Sequence, residues 1–236
     1  MSMVFYEAGS LTIGVNADEV AEKLGELRNK TPAVIKVAAN YTARETRKEM
    51  LRRAMRRYAV NTKGKEKLQG LKQRIKATNA SPLAVLSIGG NAGLRSDLAY
   101  FKHKVTTAHP GGSWRTGPDT FRAQVLKSGG MKKLTGDGSY SKGFLAHFAS
   151  GHTGMIQRHI GSGEEEDKYT YTGAKRWKNR EKKVEKTRTY SAPSGTAMHH
   201  TVWEKEEASD YAQDTLQRKL NEQIAKVIAR EAAKGR

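Results

Sequence analysis

Seven basic residues stand within fourteen positions of one predicted helix, and the chemistry open to them is the binding of phosphate groups. The same stretch holds only two acids, Glu45 and Glu49. Guanidinium and ammonium groups of this kind neutralise phosphates without reading bases, so their contacts are sensitive to salt and indifferent to sequence. A solvated face with no partner is the competing interpretation of any charge run. The cluster consists of Arg44, Arg47, Lys48, Arg52, Arg53, Arg56 and Arg57.

Two further tracts, 63–76 and 175–188, carry surplus positive charge, and the first contains Lys72, Arg74 and Lys76. The whole chain has 43 Lys and Arg against 24 Asp and Glu, a formal net charge of +19. Because solubility alone could be met with either sign of charge, this excess favours a polyanionic partner. The sequence shows no zinc-finger spacing, basic zipper or helix-turn-helix, and few aromatic residues in these tracts, so base recognition and stacking on single strands are not predicted.

The other residues that could carry chemistry form no catalytic or metal-binding pattern. No His-Glu-x-x-His is present, and no acid stands at ligand spacing beside His147 or His152, so we interpret the histidines as polar surface or loop residues. His199 and His200 are adjacent and must face different ways on a helix or strand. The glycine-rich stretch 89–93 lacks the features of a nucleotide-binding loop. The seven histidines are His103, His109, His147, His152, His159, His199 and His200.

The composition favours a modest core without cofactors. Hydrophobic residues make up 36% of the chain, and there is no cysteine, which excludes disulfides, thiolate zinc sites and cysteine nucleophiles. The first fifteen residues do not read as a signal peptide, and no run of about 18 apolar residues suggests a membrane span. We therefore predict no enzyme activity, no cofactor, no metal, no small-molecule substrate and no membrane partner.

Periodic apolar positions predict the elements that must position the basic residues. Short β-branched and aromatic stretches at 3–6 and 11–15 predict a hairpin. Asn16, with Glu19 three residues later, predicts a capped helix resembling a capping box. A long helix is predicted from Thr31-Pro32 to about Tyr58, with two apolar stripes rotated by roughly 100° from each other. Such a helix must bend, break or change its packing partner midway.

The middle of the chain is predicted to contain loops and strands. An exposed basic loop is expected over 61–79, where Gly64 and Gly70 act as breakers. The segment between 101 and 121 is also interpreted as a loop, and Ser128-Gly129-Gly130 as a turn. A hairpin is predicted where 144–148 and 155–160 flank a Ser-Gly-His-Thr-Gly turn. Further strands are predicted at 83–88, 98–101 and 121–126.

The C-terminal part combines a charged excursion over 161–191 with an amphipathic helix from about Val202. Four residues of the helix, Leu216, Leu220, Ile224 and Val227, are predicted to pack between subunits of an oligomer. The predicted fold class is α+β, with a long basic N-terminal helix and a C-terminal amphipathic helix packed on a small, mainly antiparallel sheet. We expect one domain spanning 1–236. The apolar stripe of the helix consists of Ala208, Ala212, Leu216, Leu220, Ile224, Val227 and Ile228.

The order of several segments resembles the minor tail protein Z-like tail-completion family of long-tailed bacteriophages. The resemblance runs from about residue 30 to the end, and the excursion at 161–191 departs from the shorter turn of the family pattern. It is carried by Ala43–Arg47, Leu71–Thr78, Leu83–Ile88, Ser96–Leu98, Phe121–Val125, Phe144–His152 with Gly154 and Arg158, Ala192–Ser194 and the closing helix.

The resemblance implies a virion protein, made in the host cytoplasm, that completes the tail at the head-tail junction. It further implies a ring of copies, a hexamer, between the head connector and the tail terminator or tube, around the end of the packaged double-stranded DNA. Such a ring needs positive charge facing inward and no chemistry. We predict that the seven-residue cluster and Lys72, Arg74 and Lys76 face DNA, although the arginines could equally meet acidic neighbouring subunits. The alternative functions are a monomeric or dimeric sequence-independent nucleic-acid-binding protein and, more distantly, a nuclease.

Overall fold

The computed structural model shows an α+β fold, as predicted, with a 27-residue helix near each end of the chain and small antiparallel sheets. The chain divides into two compact units, of which unit 1 takes its residues from 1–58, 62–95 and 193–236, and unit 2 from 59–61 and 96–192. The single domain predicted from the sequence stays a prediction. The structure describes residues 2–7, 9–69, 74–87, 97–106, 120–133, 144–147, 153–158, 187–190, 192–205 and 207–234.

Unit 1 contains a four-stranded antiparallel sheet whose inner face forms part of the core. The predicted N-terminal hairpin is confirmed as β1 (Met3–Glu7) and β2 (Ser10–Gly14). The strands β3 (Arg74–Ile75) and β4 (Leu83–Ser87) complete the order β1-β2-β4-β3. Alternate side chains point to opposite faces of a strand, and the buried ones here include Leu11 and Ile13 of β2. The inner face therefore packs against the helices of unit 1.

The first helix, α1 (Ala17–Leu24), begins at the predicted cap. Asn16 Oδ1 accepts hydrogen bonds from the backbone N–H groups of Asp18 and Glu19, at 3.0 and 3.5 Å. The reciprocal bond of a capping box does not come from Glu19, because the Asn16 N–H donates to Ser2 Oγ instead, at 3.2 Å. Ser2, the residue that precedes β1, is thereby tied to the start of the helix. A 3-10 segment, Gly25–Lys30, leads into the next helix.

The long helix α2 (Thr31–Arg57) has the predicted bounds, but its buried face differs from the prediction. The first predicted stripe consists of Val34, Val37, Ala38 and Tyr41, but Val37 is 42% exposed. One row of buried residues replaces the two stripes, because Thr42 and Thr46 are fully buried and fill the middle turns. Such an i, i+4 row drifts about 40° around the helix at each step, so α2 changes its neighbours without a break. The buried residues are Thr31, Val34, Ile35, Ala38, Ala39, Thr42, Ala43, Thr46, Met50 and Ala54.

The C-terminal region forms two helices, α4 (Gly195–Lys205) and α5 (Ala208–Lys234), so the predicted single helix from Val202 is wrong at its start. The break lies at Glu207, whose φ of 53° is a left-handed conformation that no helix continues through. The stripe that was predicted on α5 is buried from Ala208 to Ile224 and becomes exposed at Ile228. The left-handed backbone conformation at Glu207 thus separates α4 from α5.

The helices α2 and α5 pack side by side and run in opposite directions. Lys219 Nζ lies 4.5 Å from the ring centre of Tyr41, near the middle of both helices. About three turns further along α2, Arg52 lies near Tyr211, which is about two turns closer to the start of α5. An antiparallel pair of this kind fixes the rotation of α2 about its axis and decides which residues point outward.

The exposed basic loop predicted over 61–79 is wrong for its first part, which forms α3 (Thr62–Gln69). Lys, Glu and Gln are good helix formers, and the buried Leu68 anchors the helix to unit 1. Gly64 lies inside this helix and does not break it. Burial of Leu68 therefore stabilises α3 enough to offset the low helix propensity of Gly64.

Unit 2 contains a three-stranded antiparallel sheet of β5 (Lys102–Thr106), β6 (Thr120–Gln124) and β7 (Lys132–Lys133), in that order. The strand β6 confirms the predicted strand at 121–126, although it ends earlier. The predicted turn at Ser128 is confirmed, and the Gly129 N–H donates to the Leu126 carbonyl at 3.1 Å. The strand β5 lies in a segment that the sequence suggested was a loop.

A second sheet of unit 2 confirms the predicted hairpin. It pairs β8 (Phe144–His147) with β9 (Thr153–Arg158), and β10 (Thr187–Thr189) adds to the other edge of β9. The strand β10 belongs to the charged excursion, of which residues 161–186 and 191 lie outside the described residues. So do the glycine-rich stretch 89–93 and Gly70.

The strand predicted at 98–101 is wrong, because Leu98–Tyr100 forms a 3-10 turn. The buried carboxylate of Asp97 causes it. Asp97 Oδ1 accepts from the Ala99 N–H at 2.8 Å, which caps the turn, and from the Met155 N–H at 3.3 Å, which ties the turn to β9. A carboxylate at this position competes with strand pairing for the local backbone donors.

We predict that Leu216→Ala lowers the free energy of unfolding by about 2 to 5 kcal/mol, because it leaves a cavity where α5 packs in the core of unit 1. Ile228→Ala, on the same helix but 45% exposed, is the matched control and should cost less than about 1 kcal/mol. Urea denaturation followed by circular dichroism measures both. Equal losses for the two variants would contradict the packing of α5.

Candidate nucleic-acid interface

Four of the predicted basic residues form one line along the exposed side of α2. Arg44, Lys48, Arg52 and Arg56 follow one another at intervals of four residues, and all are exposed. The side chains of the first three are 57%, 62% and 61% exposed. At 1.5 Å per residue, neighbours are separated by roughly 6 Å along the axis and the line extends for roughly 18 Å. We call these four residues the cation row.

The cation row faces solvent because the buried row of α2 has the same spacing on the opposite side of the helix. Thr46 and Met50 are buried two positions beyond Arg44 and Lys48, which places them about 200° around the helix. Both rows drift together along the helix, so each cation stays opposite a buried residue. The packing of α2 in unit 1 therefore presents the whole row to solvent.

Two glutamates partly neutralise the cation row. Glu45 Oε1 accepts from Lys48 Nζ at 3.0 Å and from Arg44 Nε at 3.2 Å. Glu49 accepts from Arg52 Nε and from Arg53 Nε, both at 2.7 Å. The hydrogen bond from Arg52 lowers the pKa of Glu49 to about 2, and the bond from Lys48 lowers the pKa of Glu45. Both carboxylates are therefore ionised at neutral pH.

These ion pairs leave the cation row available to an external anion. Pairs between exposed side chains contribute about 0 to 1 kcal/mol, since water already solvates both charges. A phosphate can take the place of a carboxylate on the same guanidinium at little cost, and it carries its charge on several acceptor oxygens. Glu45 and Glu49 therefore weaken the binding of a phosphate to the cation row but do not prevent it.

The remaining three arginines of the cluster do not join the row. Arg47 is half-buried, burial lowers its pKa, and its Nη2 donates to the carbonyl oxygen of Gln69 at 2.6 Å. The Arg53 side chain is 17% exposed and bonded to Glu49. The Arg57 guanidinium lies 5.8 Å from the ring centre of Tyr58. The Arg47 bond ties α2 to the end of α3, whereas Arg53 and Arg57 contact residues of α2 and its C-cap.

The second predicted tract is placed only in part. Lys76 is exposed, and the carbonyl of the next residue, Ala77, accepts from Asn40 Nδ2 at 2.9 Å, which holds Lys76 beside α2 one turn before Arg44. Arg74 belongs to β3, and its side chain lies outside the description, as does all of Lys72.

Sequence reasoning missed an aromatic residue at the head of the cation row. The Arg44 guanidinium lies 5.4 Å from the ring centre of Tyr41, and Lys219 of α5 lies 4.5 Å from the same ring. Lys219 also bonds to both carboxylate oxygens of Glu222, at 3.0 Å. The i, i+3 spacing of Tyr41 and Arg44 was the available signal, because such residues are neighbours on a helix surface. These contacts orient Arg44 along the surface.

The four residues predicted to pack between subunits have unequal exposure. Leu216, Leu220 and Ile224 are buried in unit 1, where the chain itself covers them. Val227 is half-buried, and the apolar surface continues outward only at Ile228. Oligomer packing through this stripe stays a prediction, and its accessible part begins at Val227.

The histidines differ from one another. His199 is fully buried, so its interpretation as a surface residue is wrong, and burial lowers its pKa to about 4 with the Arg47 charge adding to the effect. His200 is exposed, with Nδ1 3.2 Å from a Glu204 oxygen, and the two residues face different ways as predicted. The described part of the chain contains no group of three His, Asp or Glu residues that could hold a metal ion.

Among the helices that the structure describes, none combines the length and the apolar character that crossing a membrane requires. Comparison of the chain with protein-family models, curated proteins and solved structures finds no match. Function must therefore be inferred from the residues, their geometry and the resemblance in the order of segments.

We predict that stability decreases as the pH falls from 6.5 to 4.5, because the unfolded chain then protonates His199 and the folded chain does not. Because the pKa of His199 is lower in the folded chain than in the unfolded chain, protonation of this residue costs no stability above pH 6.5. Between pH 6.5 and pH 4.5 it lowers the free energy of unfolding by about 2 kcal/mol. The glutamates with low pKa contribute only below about pH 4.5. Urea denaturation at each pH should show the slope in the His200→Gln control and not in His199→Gln. A slope that survives in His199→Gln would refute the assignment.

Proposed function

We propose that this protein is a structural, non-catalytic component of the head-tail junction of a long-tailed bacteriophage. A ring of copies, a hexamer, joins the head connector to the tail terminator or tube and surrounds the end of the packaged DNA. The ordered resemblance to the tail-completion family supports the location. The observation that supports contact with DNA is the cation row of α2, four exposed basic side chains in one line.

The cation row suits the phosphate backbone of a duplex. Each strand of double-stranded DNA presents one charge per 3.4 Å or so of axis, and the row offers a cation every 6 Å or so along a rigid helix. Arginine and lysine contacts to phosphates fix position and carry no sequence information. A duplex of any sequence is therefore an acceptable ligand, as a packaged genome end requires.

Glu45 and Glu49 suit a DNA that passes through a ring better than a DNA that is held. Each carboxylate competes with phosphate for two cations of the cluster, at distances between 2.7 and 3.2 Å. The competition weakens each contact and favours rapid exchange between neighbouring phosphates. A lumen that must release the genome benefits from contacts of this kind.

One observation favours the second candidate, a monomeric or dimeric nucleic-acid-binding protein. Leu216, Leu220 and Ile224 are covered within the chain and offer no apolar seam to another subunit. The same cation row would then bind free duplex, and the protein would have no place in purified virions.

We expect light scattering at physiological salt to give a particle of about six times the chain mass of 26.1 kDa, alone or with tail proteins. Phage particles made without the protein should accumulate as separate heads and tails. A strict monomer that ignores tail proteins, and normal virions in its absence, would exclude the junction role and leave the second candidate.

We predict that replacing Arg44, Lys48, Arg52 and Arg56 together by Gln weakens duplex binding and lowers the slope of log affinity against log salt by about 3 to 4. Fluorescence anisotropy with a labelled duplex at several salt concentrations measures both quantities. The control replaces four exposed lysines elsewhere in unit 1 by Gln, with the same loss of charge. An equal effect in the control would show that net charge and not the row binds DNA. The control residues are Lys23, Lys205, Lys226 and Lys234.

We predict that Glu49→Gln strengthens duplex binding severalfold, because it frees Arg52 and Arg53 from a carboxylate that is ionised at neutral pH. Its matched control is Glu231→Gln near the end of α5, which frees Lys234 away from the row and should change the affinity less. The same anisotropy titration decides. A Glu49→Gln protein that binds more weakly than the wild type would exclude direct competition with phosphate.

A further inference from the structure

A second line of cations crosses the sheet of β5, β6 and β7 in unit 2, outside all three basic tracts of the sequence. In the strand register Lys104 lies opposite Arg122, and Arg122 lies opposite Lys133. Directly opposed residues of neighbouring strands project to the same face, so the three side chains stand side by side. All three are exposed. We call them the cation ladder.

Further polar side chains lie beside the cation ladder on the same face. Lys102 stands two residues before Lys104 and therefore shares its face, opposite Gln124 of β6. Lys102 is exposed and extends the ladder along β5. Strands lie about 4.8 Å apart, so the three rungs bring positive charges close together across about 10 Å of sheet.

The cation ladder is an unfavourable arrangement for the isolated subunit. Like charges directly opposite each other on a sheet repel and destabilise the pairing. The only acid among the described residues of unit 2 is Asp97, which is buried and bonded through Oδ1 to the N–H groups of Ala99 and Met155. In that part of the chain no carboxylate compensates the ladder. An external anion removes the repulsion on binding.

We propose that the cation ladder is a second binding surface for the phosphodiester backbone of double-stranded nucleic acid. Phosphate contacts need only cations, which Lys104, Arg122, Lys133 and Lys102 supply without a base-reading side chain. An acidic protein surface is the weaker candidate, because the centre of a protein interface is rich in apolar and aromatic residues and poor in lysine. The side chains paired across this face in the strand register, Lys102 with Gln124 and Lys104 with Arg122 and Lys133, are all polar.

The identity of the ligand, double-stranded nucleic acid, rests on the proposed function. The cation ladder adds a binding surface on unit 2. The cation row belongs to a helix of unit 1 and is half-neutralised by glutamates, whereas the ladder has no acid among its described neighbours. Each surface, considered by itself, offers a duplex its own set of phosphate contacts. Each set contributes its own counterion release to the salt dependence.

The test uses the full chain with Lys104→Gln and Lys133→Gln together, titrated against a labelled duplex at several salt concentrations. We expect the slope of log affinity against log salt to fall by about 2, since two phosphate contacts are lost. The matched control is Lys132→Gln with Lys205→Gln, which removes two exposed lysines, one of them the neighbour of Lys133 on the opposite face of β7 and the other in unit 1. The control should keep the wild-type slope.

Thermal unfolding without DNA supplies a second readout. Removal of two repelling charges should leave the Tm of the ladder variant unchanged or raise it. A lower Tm, together with an unchanged salt slope, would mean that the lysines pair with acids of the same chain, such as Glu164–Asp167. That result would overturn the inference.

The remaining outcomes separate the ladder from the proposed function. A ladder variant with the wild-type slope, beside a cation-row variant that loses binding, would overturn the ladder and leave the proposed function standing. A wild-type chain that binds no duplex would overturn both. A further experiment compares poly-glutamate and unlabelled duplex, at equal charge, as competitors of the labelled duplex. If poly-glutamate competes equally well, the ligand is an acidic protein and not nucleic acid, and the inference is overturned.

Discussion

The antiparallel packing of α2 on α5 is the constraint on which the candidate surface depends. It buries small side chains, Thr42, Thr46 and Ala54 of α2 among them, so the helix lies close to its neighbours and cannot rotate. A rotation of two residues, about 200°, would turn Arg52 toward the core and expose Met50. The large burial penalty of an unpaired guanidinium excludes that alternative. The hydrophobic contact thus determines where the charge goes.

Much of the fold could be predicted from the sequence where one signal dominated. The N-terminal hairpin, the Asn16 cap, the bounds of α2 and the hairpin of β8 and β9 follow from local patterns and are confirmed. The failures occur where a distant residue decides. Leu68 makes a helix of a basic segment, and the bond from the Met155 N–H to Asp97 holds a turn where four apolar residues suggested a strand.

The candidate surface was predictable in composition and not in arrangement. Charge density pointed to the residues from 44 to 57, but only the packing of α2 separates the four exposed cations from Arg47, Arg53 and Arg57, whose contacts are internal. The core also explains why His199 was misread, since a histidine pattern says nothing about burial. The cation ladder was beyond sequence reasoning, because Lys104, Arg122 and Lys133 meet only through strand register.

The two cation surfaces differ in how much each repels itself, and this difference orders their contributions to binding. The row lowers its own repulsion with Glu45 and Glu49, so it is stable without a ligand and gains less from a phosphate. The ladder keeps its repulsion among the described residues and gains more, because a bound anion both attracts the cations and screens them from one another. The number of basic residues per segment would rank the two surfaces in the opposite order, because it does not show which cations are paired with acids.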